Sequence, residues 1–150
     1  MPRKERPANG AAGYSGTPLV RKLGLAIGQA AVLLDVPETI EDIHGFDGFA
    51  SVVRTLPEVR RRAFDYIHLF VTERAALEAA ASALFHVLRP DGIIWISWPK
   101  KSSRVATDIT EDVLREILLP TGLVDVKVCA VDEIWSGLKF VIRKELRGSL

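Results

Sequence analysis

Five consecutive residues, Lys100-Lys101-Ser102-Ser103-Arg104, place three cations and two hydroxyls in one stretch. Asp108 and Glu111 follow at capping-box spacing, which predicts a helix opening near Asp108. The free N–H groups and dipole of such a helix start favour an anion. Lys100 and Lys101 would act as point charges, Arg104 as a bidentate clamp, and Ser102 and Ser103 as donors to a phosphate or carboxylate oxygen. A second reading stands beside this one: a solvated loop whose lysines keep the surface soluble, with Asp108 already occupying the cap and repelling anions. Open α/β sheets place ligands outside the carboxyl ends of their strands. Three segments meet that rule here: Asp35–Glu38, Thr72–Arg74 and Pro99–Asp108.

Other residues able to do chemistry are weighed the same way. Trp95, Trp98 and Trp135 would form either an aromatic wall over a ligand or ordinary core packing. His68 shares a strand face with Tyr66 and Phe70, the pattern of a hydrogen-bonded core histidine. His44 and His86 lack cysteines or carboxylates at ligand spacing, so no metal site is expected. The single cysteine, Cys129, joins no recognisable Cys–His signature, and neither a G-x-S-x-G elbow nor a P-loop is present. Arg60-Arg61-Arg62 is a basic spot without interleaved aromatics, and no nucleic-acid role is expected from it.

The elements that must position these residues follow from spacing. Residues 1–13 read as a disordered arm, 14–143 as one α/β domain, and 144–150 as a tail. Pro18–Leu23 is expected as a helix ended by Gly24, and AAVLLDV (30–36) as a buried strand. Residues 37–48 carry one weak helical turn. Phe49–Arg54 and FDYIHLFV (64–71) read as strands. Leu77, Ala81, Leu84 and Leu88 recur at helical spacing, so Glu73–Leu88 is a predicted amphipathic helix capped by Thr72 and stopped by the RPDG turn. GIIWISW is a further strand, and the next helix carries Ile109, Val113, Ile117 and Leu118. Val124, Val126 and Val128 alternate with polar residues, as do Leu138, Phe140 and Ile142. The charged face of that last strand reads as an edge protected against pairing with its own copy. Together these predict an α/β fold: a mostly parallel sheet with a C-terminal antiparallel pair and helices on both faces.

The 150 residues suit one domain with a core built without metals or disulfides. Twenty basic against 19 acidic residues leave a net charge of +1, so no global field recruits nucleic acid or a membrane. One cysteine, no apolar run behind the basic start and no long apolar stretch predict a cytoplasmic chain.

The stretch FDYIHLF…ALFHVLRPDGIIWISW, over about 64–98, is similar to the second half of class I S-adenosylmethionine methyltransferase domains. More narrowly, YSGTPLVRKLG (14–24), SWPKK (97–101), VATDITEDVLRE (105–116) and VDEIWSGLKF (131–140) resemble an uncharacterised bacterial family, a domain of unknown function. The resemblance implies a methyltransferase-like Rossmann fold and brings no reaction with it. The superfamily's cofactor needs glycines after the first strand and an acid at the end of the second. Here no glycine lies between Gly28 and Gly45, and the second strand ends Val52-Val53-Arg54. Only nine residues separate Arg54 from Phe64, too few for a helical crossover. These departures predict a reduced fold with a degenerate cofactor loop and no cofactor. The expected function is a non-catalytic domain, or a weak binder of a small anion or a protein partner. The alternative is an S-adenosylmethionine-dependent methyltransferase with an atypical cofactor loop, in which Asp35 and Glu38 would hold a displaced ribose.

Overall fold

The computed structural model describes residues 17–150, so the arm expected over 1–13 lies outside the described residues. Leu19–Leu23 form α1, and Gly24 ends it in the left-handed region at φ 78°. The Gly24 N–H donates to the Arg21 carbonyl at 3.1 Å and the Leu25 N–H to the Val20 carbonyl at 3.0 Å, a conformation open to a residue without Cβ. β1 (Ala30–Leu34), the short α2 (Glu41–His44) and β2 (Ser51–Val53) follow. β3 (Phe64–Phe70), α3 (Arg74–Val87) and β4 (Leu88–Pro99) form the middle of the chain. α4 (Glu111–Leu118), β5 (Leu123–Ala130), β6 (Trp135–Ile142) and a last turn, α5 (Lys144–Arg147), complete it.

The six strands lie in one sheet in the order β2-β1-β3-β4-β6-β5. β2, β1, β3 and β4 run parallel, while β6 is antiparallel to both β4 and β5. Strand alternation sends Val32, Ile67, Ile94, Leu138 and Phe140 to one face, under Leu77 and Leu84 of α3 and Leu114 and Leu118 of α4. It sends Leu33, Tyr66, Phe70 and Trp95 to the other, under Leu23 of α1 and Ile43 of α2. This is the expected α/β architecture. The connection from β2 to β3, residues 54–63, contains no helix, in keeping with its shortness.

Several local expectations are corrected. Thr72 does not cap α3, whose N-cap is Glu73 without a side-chain bond. Asp108 supplies the missing acceptor from a distant loop: its Oδ1 accepts from the Arg74 N–H at 2.6 Å. Asp108 therefore caps α3, and α4 begins later with Thr110, whose hydroxyl accepts from the Val113 N–H. The RPDG stretch does not turn. Pro90 forbids a helical Arg89, and the chain passes straight into an extended β4. β6 is an interior strand paired on both sides, and the edge is β5. A register shift between Asp125 and Lys127 breaks the alternation there. Val126 and Val128 are each 52% exposed, and Cys129 and Leu123 face the cores instead.

Candidate functional site

β1 is the strand at which this sheet reverses: β2 lies on one side of it and β3 on the other. Chains leaving β1 and β3 diverge there, opening a crevice at their carboxyl ends. A crevice of about 260 Å³ lies at this point, lined by Asp35, Phe70, Val71, Thr72, Glu73, Ala76 and Trp135. Its two ionisable lining groups are carboxylates, so it suits a positively charged ligand.

Asp35 follows β1 directly and holds φ at 59°, the left-handed region. Sharp turns there usually fall to glycine, and a side-chain-bearing residue in this region stores backbone strain. The turn that glycine would give is thus present, with a carboxylate added. Glu38 is exposed on the following turn and is not among the lining residues. Trp135 is set by Asp132, whose Oδ1 accepts from the N–H groups of Ile134 at 2.9 Å and Trp135 at 2.8 Å. Its ring meets Phe70 edge-on with centroids 5.0 Å apart. Of the three tryptophans, this one lines the crevice. Trp95 is fully buried and donates Nε1–H to the Leu23 carbonyl at 2.8 Å, and Trp98 packs into the core under α3 and α4.

The cationic segment leaves β4 beside Trp135. Lys100 is half-buried, Lys101, Ser102 and Arg104 are exposed, and Lys101–Ser103 make one 3-10 turn. The Ser103 hydroxyl donates to the Lys100 carbonyl and accepts from the Val105 N–H, so it serves the turn. Arg104 ends the turn at φ 64°. Among the described residues, Asp35 and Arg104 are the two non-glycine residues with positive φ, and both belong to candidate segments.

Behind the crevice, three polar side chains form a buried chain. The Tyr66 hydroxyl lies 3.0 Å from His68 Nδ1, and His68 Nε2 lies 2.7 Å from Ser97 Oγ. Burial without a charged partner drives the His68 pKa down to about 3, so the ring is neutral. Phe70 stacks on it at 4.5 Å and separates it from the crevice. His68 is the core histidine its strand position implied. Among the described residues no cluster of histidine, cysteine or carboxylate groups could hold a metal ion. No helix among them is long and apolar enough to cross a membrane.

No protein-family model and no curated protein sequence matches the chain. Solved structures do. A S-adenosylmethionine-dependent methyltransferase from Aquifex aeolicus aligns with a TM-score of 0.59 at 15% identity, over 83% of this chain and 88% of that one. Magnesium protoporphyrin IX methyltransferase from Synechocystis, with bound S-adenosylmethionine, aligns at 0.55 and 13% identity over 83% and 74%. A putative type 11 methyltransferase from Sulfolobus solfataricus aligns at 0.52 and 13% over 77% and 72%. An enzyme described as catalysing a pericyclic reaction also aligns, at 0.50 and 12% identity, over 83% of this chain and 39% of its own. At these identities the likeness is one of fold. The chain has the methyltransferase-like Rossmann fold.

The crevice can be tested against the group this fold family carries. Its acidic lining and the left-handed turn at Asp35 fit the cationic methionine part of S-adenosylmethionine. At the ribose end the usual acid is absent, because β2 ends at Val53 with Arg54 after it. The backbone turn and two carboxylates are therefore in place, and what is missing is the acid at the end of β2.

Proposed function

We propose that this chain is a S-adenosylmethionine-dependent methyltransferase with an atypical cofactor loop, working in the cytoplasm. The observation that carries the reading is the crevice at the carboxyl ends of β1 and β3, lined by Asp35 and Glu73. The shared fold supports it. When bound, the cofactor supplies an electrophilic methyl group on a sulfonium. Asp35 and Glu73, both exposed along the crevice, would pair with the positive charges of its methionine part. Phe70 and Trp135 form an apolar wall, which holds water away from the reacting centre.

A second reading, a ligand-binding domain that performs no chemistry, is favoured by the sequence at the end of β2, where Arg54 stands in place of an acid. Calorimetric titration of the full chain with S-adenosylmethionine and S-adenosylhomocysteine separates the two. The methyltransferase reading expects micromolar binding. Asp35→Gly keeps the turn and removes only the carboxylate, and should weaken the sulfonium ligand by about threefold. It should weaken the uncharged thioether less. No binding of either compound returns the chain to the second reading.

A further inference from the structure

The crevice and the loop beside it carry opposite charge. Asp35 and Glu73 line the crevice, whereas Lys100, Lys101 and Arg104 lie on the segment joining β4 to α4. Both ends of that segment are fastened to the crevice wall. At the start, Pro99 pairs with Trp135 in the sheet, and the Lys100 N–H donates to the Ile134 carbonyl at 2.7 Å. At the far end, Thr107 Oγ1 donates to the Thr72 carbonyl at 2.6 Å, and the Asp108 N–H reaches the same oxygen at 3.4 Å. Trp135 and Thr72 are both lining residues, so the segment is anchored at each end to the crevice wall without itself lining it.

Its backbone is fixed by its own bonds. The Ser103 hydroxyl closes the turn at 2.7 Å, and Arg104 occupies a left-handed position where glycine would be free of strain. Backbone strain of this kind clusters at active sites and ligand clamps. Among the described residues, no carboxylate lies within ion-pair distance of Lys100, Lys101 or Arg104.

We infer that this rim binds the phosphate or carboxylate of a molecule entering the crevice mouth, with Lys101 and Arg104 as the principal contacts. Resting on the reading of the crevice as the cofactor site, this makes the methyl acceptor an acidic small molecule. A cationic donor in an acidic crevice and an anionic acceptor on a basic rim would then meet without competing for one site.

The test uses inorganic phosphate on the full chain, without cofactor. Phosphate should raise the melting temperature more than chloride at matched ionic strength. The double variant Lys101→Ala with Arg104→Ala should lose that difference, with phosphate affinity falling about threefold for each exposed cation removed. Arg104→Gly, which retains the turn, should lose about half of the response in a chain of unchanged helical circular dichroism. A wild type that responds equally to the two salts overturns the inference, as does a double variant that keeps the full response. S-adenosylmethionine is titrated separately into the same variants and should bind as it does to wild type. Loss of cofactor binding in wild type with the phosphate response intact would remove the methyltransferase reading and leave the anion rim standing.

Discussion

Acidifying the solution should destabilise this protein through the buried His68. Its ring is fully buried against Tyr66, Phe70, Trp95 and Ser97, and no charged side chain touches it. Folded, it takes up a proton only near pH 3, whereas an unfolded histidine does so near about 6.5. Between those values the unfolded state binds the extra proton, so stability falls as pH falls. The slope is about 1.4 kcal/mol per pH unit, or about 2 kcal/mol lost on reaching pH 5. That is a large share of the roughly 5–15 kcal/mol available to a domain. His68→Gln retains an acceptor and a donor for the Tyr66 and Ser97 hydroxyls but does not titrate. Urea unfolding of both proteins, followed by circular dichroism between about pH 7 and about pH 5, isolates the contribution. The variant starts less stable but should lose about 2 kcal/mol less than wild type over that interval. Parallel losses in the two proteins would refute the reasoning and mean that the buried ring accepts a proton without opening the core.

Asp108→Ala removes the only side-chain cap on α3 and should cost about 1 kcal/mol in urea unfolding. Thr110→Ala removes the cap of α4 and should cost about the same, and since the two caps serve different helices the double variant should show the sum. Phe140 of β6 is fully buried in the core beneath α3 and α4, and Phe140→Ala should cost about 3–5 kcal/mol.

Most of the fold was legible because its strands and main helices carry strong periodicity. Leu77, Ala81 and Leu84 do face the core from α3, and FDYIHLF is one of the two central strands. The failures share a cause: they depend on partners distant in sequence. Asp108 has capping-box spacing to Glu111, yet its carboxylate serves Arg74, 34 residues away. The valines of β5 alternate as a buried strand would, but the register shift at Val126 and the open edge leave them exposed. The crevice was half visible. The rule about carboxyl ends selected Asp35, Thr72 and Glu73, and Trp135 was one of three tryptophans. Phe70 was overlooked because it read only as a core neighbour of His68. The left-handed turns at Asp35 and Arg104 gave no signal, since neither residue is a glycine.

The place of β6 in the sheet also sets an order of events for the growing chain. β6 lies between β4 and β5 although it is made after both, so the last hairpin can add only as a unit, with β6 against β4. Until residue 142 has been synthesised, the backbone of Ile94–Pro99 has no partner on that side. An apolar strand with an open edge is the kind of surface on which nascent chains aggregate. The interval between completing β4 and completing β6 is therefore the vulnerable period of synthesis, and chains stopped inside it should be captured by chaperones or lost as insoluble material.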